Sequence, residues 1–119
     1  MKTVLIVEDN KNQGMLYEEE FRREGYNVML ARNGREAIEK TEEQIPDIMI
    51  TEITIPIMDG IESISKKLVK HSKIPVIINT AYGNYKDNFM TRAADAYLVK
   101  SSDLSELKNK AKELLERNV

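Results

Sequence analysis

The chain has 119 residues, 41% of them hydrophobic and 32% charged, with a formal net charge of -2. That size and balance suit one globular domain able to bury a core without staples, and they exclude a disordered tail and a membrane protein. The charge gives no electrostatic reason to expect nucleic acid, and the lack of cysteine excludes disulfides, thiolate metal sites and cysteine nucleophiles.

Met1-Lys2-Thr3 leads straight into the apolar run Val4 to Val7, far too short for a signal peptide or a membrane helix, so a cytoplasmic location is expected. No repeat, low-complexity tract or linker breaks the sequence, and residues 1–119 are read as a single domain. Val4-Leu5-Ile6-Val7 is continuous and rich in branched residues, as a strand buried on both faces should be. The first helical pattern follows, with Leu16 and Phe21 expected to face inward among Glu18, Glu19, Glu20, Arg22 and Arg23, and with Gly25 closing it. A second buried strand spans Tyr26 to Ala31. Asn33, with Glu36 three residues on, opens a second helix carrying Ala37 and Ile38.

Ile48 to Thr51 reads as the third strand. Asp59, with Glu62 behind it, starts a third helix that would bury Ile61, Ile64 and Leu68. Val76 to Ile78 is the fourth strand, a weaker helical pattern covers 84–94, and Ala96 to Val99 is the fifth strand. From about Asp103 a final helix places Leu104, Leu107, Ala111, Leu114 and Leu115 on one stripe. Five alternations of strand and helix predict an α/β fold, a doubly wound parallel sheet covered on both faces.

In such a sheet ligands bind beyond the carboxyl ends of the strands. Glu8 and Asp9 follow the first strand, Glu52 ends the third, Thr80 the fourth and Lys100 the fifth, so all five fall on one rim. Three carboxylates without histidine or cysteine make a hard, all-oxygen site suited to Mg²⁺ or Mn²⁺. Lys100 would supply a point charge to a phosphoryl oxygen and the Thr80 hydroxyl a hydrogen bond, with positioning and electrostatics carrying any transfer. Taken singly, each has a plainer reading: Glu8-Asp9 as a helix cap, Lys100 as a solvated charge, Thr80 as a strand-end residue. Their joint placement at the ends of separate parallel strands favours a site.

These segments resemble those of a response regulator receiver domain, chemotaxis-regulator-like, over essentially the whole chain. Val4-Leu5-Ile6-Val7-Glu8-Asp9-Asn10 is similar to the family's opening strand and metal-binding acids. Pro46-Asp47-Ile48-Met49-Ile50-Thr51-Glu52 and Pro56-Ile57-Met58-Asp59-Gly60 resemble its phosphoacceptor strand and loop, and Ile74 to Ala81 its switch-threonine strand. Ala94 to Lys100 resembles the fifth strand with its switch aromatic and lysine. The resemblance implies a flavodoxin-like sheet in the order 2-1-3-4-5 and a role in two-component phosphorelay signalling, with no enzyme activity beyond at most self-phosphorylation and self-dephosphorylation. It also implies Mg²⁺ held by Glu8, Asp9, Glu52 and the backbone carbonyl of Thr54, with Thr80 and Lys100 on the phosphoryl group and Tyr97 as the rotamer switch. The implied partners are a histidine kinase or phosphotransferase, and a second copy of the chain through the fourth helix, fifth strand and last helix.

The family has aspartate where this chain has Glu52. One added methylene moves the carboxylate by roughly 1 Å, a misplacement that can cost about a hundredfold in rate. Glu52 is therefore read first as a metal ligand in an atypical or phosphomimetic receiver, with a working phosphoacceptor as the alternative. Ser101 replaces the usual proline after Lys100, which points to a trans peptide there. Ile57 and Ala93 replace usual glycines. His71 among Lys66, Lys67, Lys70 and Lys73 reads as a solvated basic strip, Asp59 as a cap, and Tyr82 as a loop aromatic or a gate on the site. A metal-dependent phosphohydrolase would need a general acid and a lid that the sequence does not offer. A flavin or nucleotide binder would need a glycine-rich loop where Glu8-Asp9-Asn10-Lys11-Asn12 stands.

Overall fold

The computed structural model describes residues 1–52, 74–81 and 94–117. Five strands, β1 (Thr3–Val7), β2 (Asn27–Ala31), β3 (Ile48–Thr51), β4 (Val76–Thr80) and β5 (Ala96–Val99), form one parallel sheet in the order β2-β1-β3-β4-β5. Helices α1 (Lys11–Arg23), α2 (Gly34–Glu43) and α3 (Ser105–Arg117) lie in sequence as the first, second and last helical patterns require. The third and fourth predicted helices fall outside the described residues.

Alternation along β1 explains how the sheet is covered on both sides. Val4 and Ile6 join Ile48, Ile50 and Ile77 against Tyr17 and Phe21 of α1 and Leu107, Ala111, Leu114 and Leu115 of α3. Leu5 and Val7 turn the other way, to Met49, Ala31 and Ala37 of α2. The central strands β1 and β3 are buried throughout, as their apolar runs predict. The edge strands correct the expectation: β2 and β5 are mostly half-buried, and Val99 is exposed, because an edge strand has a neighbour on one side only.

Two further corrections come from α1. Leu16 is 49% exposed, while Gly14, Tyr17 and Phe21 form the buried stripe. Residues 16 and 21 are five apart and so stand about 140° apart on a helix, too far to share a narrow face. Tyr26 belongs to the helix end rather than to β2. The Gly25 amide donates to the carbonyl of Arg22 (3.0 Å) and the Tyr26 amide to that of Phe21 (3.2 Å), with Gly25 at φ +93°. This is a Schellman ending, and its apolar clasp is the Phe21–Tyr26 ring pair, centroids 6.0 Å apart.

The remaining caps follow the sequence closely. Asn33 Oδ1 accepts from the Glu36 amide (2.9 Å), while the Glu36 carboxylate accepts from the amide of Arg32, one residue ahead of the cap (3.3 Å). Asp103 stands just ahead of α3 and accepts from the Ser105 amide (2.9 Å). No described helix is long and apolar enough to cross a membrane.

Candidate functional site

The parallel ladders fix the backbone of the site. Val7 pairs with Thr51, Thr51 with Ile78, and Thr80 with Val99, so β1, β3, β4 and β5 carry their ends to one edge. One further backbone bond then holds the residue beyond each of three strands. The Glu8 amide donates to Ala31 (2.9 Å), the Glu52 amide to Val7 (3.0 Å) and the Lys100 amide to Thr80 (2.6 Å). The side chains of Glu8, Glu52 and Lys100 thus leave the sheet from anchored positions.

They converge. Lys100 Nζ lies 2.6 Å from Glu8 Oε1 and 2.6 Å from Glu52 Oε2, with 14% of the lysine side chain exposed and 3% and 4% of the two glutamates. A third acceptor comes from α1, where Gln13 Oε1 receives a hydrogen bond from the same ammonium at 2.5 Å. Glu8 also accepts from the Asn10 amide through Oε2 (3.1 Å), and Asn10 caps α1 by accepting from the Gln13 amide (3.0 Å). Thr80 is fully buried beside this cluster in β4. Tyr97 is half-buried, paired in register with Ile78. Asp9 is exposed, but its carboxyl reaches that of Glu8.

The two partners of the central ion pair are pulled unequally. Burial pushes the Glu8 carboxyl above its ordinary range, helped by Asp9 and opposed by Lys100 and the Asn10 amide. Burial also works against the charged form of Lys100, but the Glu52 and Glu8 carboxylates outweigh it and hold the ammonium above its ordinary value. The lysine is held charged, since every N–H of the ammonium has an acceptor in Glu8, Glu52 or Gln13. The upward shift of Glu8 shows that its own desolvation is not fully offset, as expected of a buried pair.

Sequence reasoning placed Glu8, Glu52, Thr80 and Lys100 at this edge, and the structure brings them there. Thr54, Asp59, His71 and Tyr82 lie outside the described residues, as do Ile57 and Ala93. Ser101 follows Lys100 through a trans peptide, as its replacement of proline suggested. Among the described residues no group of three or more acidic or histidine side chains stands ready to hold a metal; the cation facing Glu8 and Glu52 is the lysine's own.

Three contributors were missed. Gln13 was legible only as a residue one helical turn past the Asn10 cap. Tyr17 is 5% exposed beneath the site, and its hydroxyl pairs with the side chain of Asn79, also 5% exposed. Burial raises the Tyr17 hydroxyl above its ordinary range against the pull of Asn79 and Lys100. A polar residue beside Thr80 inside an apolar strand was the available signal for Asn79.

A sequence model of the response regulator receiver domain matches residues 4–112. The chain belongs to that family. Its function is therefore that of a receiver domain in two-component signalling, a signalling role rather than an enzyme's. It is 33% identical over 114 residues to sporulation initiation phosphotransferase F of Bacillus subtilis, covering 94% of this chain and 92% of that protein. It is 38% identical to TrrA of Thermotoga maritima, solved in complex with Mg²⁺-BeF, at a TM-score of 0.88 over 96% of this receiver and 99% of TrrA. TrrA solved with the histidine kinase ThkA superposes with a TM-score of 0.85 over 97% and 99% of the two chains. Several matched regulators are longer, and this receiver spans only 24% to 54% of them.

Proposed function

We propose that Glu52 occupies the phosphoacceptor position of this receiver and imitates, in part, the charge a phosphoryl group would bring. One observation carries the reading: the Glu52 carboxylate is buried and 2.6 Å from the Lys100 ammonium, the group that would otherwise meet a phosphoryl oxygen. A carboxylate has less charge and fewer acceptor oxygens than a phosphoryl group, so the imitation is incomplete. Thr80, whose carbonyl receives the Lys100 amide, and Tyr97 on the adjoining strand are the proposed switch pair. Occupancy at Glu52 would be felt by Thr80 and passed to the Tyr97 ring.

Glu8, Asp9 and Glu52, with the backbone carbonyl of Thr54, are the proposed ligands of Mg²⁺, and the same oxygens would suit Mn²⁺. The donor chemistry supports this: all are hard oxygens, and Glu8 is a buried acid crowded by Asp9. A bound divalent ion would neutralise charge on transferring oxygens. Glu8 and Glu52 would have to share their oxygens between that ion and Lys100. At most the domain would assist its own phosphorylation and dephosphorylation.

The proposed partner is a histidine kinase or phosphotransferase, supported by the similarity to TrrA in its complex with ThkA. A homodimer would use the face that includes β5, where Val99 is 54% exposed. The test is intact mass after incubation with Mg²⁺ and acetyl phosphate. The protein as it stands is expected to gain nothing and Glu52→Asp to gain one phosphoryl group. A phosphoryl group found on Glu52 itself would replace this reading with that of a slow working acceptor.

A further inference from the structure

We infer that Gln13 is a positioning residue that sets the place of Lys100 and thereby ties the first turn of α1 to the charge balance of the site. It rests on the preceding reading only in taking Lys100 as the group that meets the acceptor's charge. An ammonium has three N–H groups and no acceptor, so the oxygen of the Gln13 amide must face it. Glu8 and Glu52 take two of those hydrogens and Gln13 the third. With all three committed, Lys100 has one defined position between β1, β3 and α1.

The chemistry of the third acceptor matters. Two carboxylates against one ammonium leave a formal negative charge in a site where the side chains are 3% to 14% exposed. A third carboxylate would deepen that imbalance, whereas an amide oxygen completes the ammonium's bonds and adds no charge. The helix is built to bring it there. Asn10 fixes the first turn by capping the Gln13 amide. The next residue, Gly14, lets the turn sit close to the sheet: a Cβ there would lie 3.1 Å from Leu30 Cδ1 and 3.8 Å from Glu8 Cβ. The close approach at Gly14 and the hydrogen bond at Gln13 are independent features of one turn, and both serve the reach to Lys100.

Hydrogen exchange of the Lys100 ammonium, followed by its ¹H–¹⁵Nζ signal and assigned by its loss in Lys100→Arg, tests the inference. Gln13→Met keeps length and helix propensity but removes the acceptor, and should speed exchange by roughly tenfold. Gln13→Glu restores an acceptor and should keep exchange slow. Lys108, bound to Glu20 and Glu24 at the far end of α1, should be unchanged in both variants and so reports on the helix itself. Unchanged Lys100 exchange in Gln13→Met overturns the inference, as does an equal acceleration at Lys108. A phosphoryl gain at Glu52 would overturn the preceding reading and leave this result standing.

Discussion

Among the described residues two lysines each face two glutamates, and the difference between them lies in water. Lys100 meets Glu8 and Glu52 at 2.6 Å where side-chain exposures are 14%, 3% and 4%. Lys108 meets Glu20 and Glu24 at 3.2 and 3.4 Å, with exposures of 24%, 22% and 49%. Both ammonium groups are held above the ordinary lysine value. At Lys100 burial opposes the shift and the carboxylates overcome it; at Lys108 the Glu20 hydrogen bond leads. The first cluster couples three strands and a helix at the site. The second fastens α3 to the end of α1 across solvent, where charge is screened and each pair contributes little.

Removing the buried cation should have the largest effect. Lys100→Met would leave Glu8 and Glu52 facing each other without a counter-charge, which should lower unfolding free energy by about 3 kcal/mol at neutral pH. The deficit should shrink as pH falls, because Glu8 already takes up a proton more readily than an ordinary carboxyl. Neutralising the cluster together, as Glu8→Gln, Glu52→Gln and Lys100→Met, should recover most of the loss. Urea titrations at pH 7 and pH 5 would decide it, and a loss below about 1 kcal/mol for the single variant would show water entering to solvate the acids.

A smaller effect concerns alkaline pH. The folded value of Lys100 lies above its ordinary 10.5, so the stability it contributes is complete below that pH and lost as pH rises through the folded value. Stability should therefore hold up to about pH 10.5 and fall above it in the unaltered protein. The fall should persist in Lys108→Met and be reduced in the triple variant. Smallest of all, Lys108→Met should leave the urea midpoint at neutral pH within experimental scatter, and added salt should erase any remaining difference. A clear shift there would mean that the α1–α3 clasp matters more than its exposure suggests.

Much of this architecture was legible because strand and helix patterns are local. The apolar run of β1, the Asn33 cap and the Gly25 stop each depend on a few neighbouring residues, whereas the cap of α1 falls on Asn10 rather than on Glu8-Asp9. The wrong assignments arose where a local pattern was ambiguous. Leu16 is apolar but lies off the stripe centred on Tyr17, and Tyr26 looks like a strand residue until its amide is seen to close α1. The site was legible in part. Glu8, Glu52, Thr80 and Lys100 stand at strand ends, which parallel topology brings together whatever the helices do. Gln13, Tyr17 and Asn79 carry no such marker, since their roles depend on how closely α1 approaches the sheet.

By itself, then, the sequence determined the order of elements and the rim on which acids and lysine meet, because backbone periodicity and strand direction are encoded in short stretches of chain. Tertiary structure alone decided that the Lys100 ammonium stands between Glu8 and Glu52 with Gln13 as its third partner. Those contacts join residues up to 92 positions apart, and their strength depends on the burial that only the assembled sheet and α1 provide.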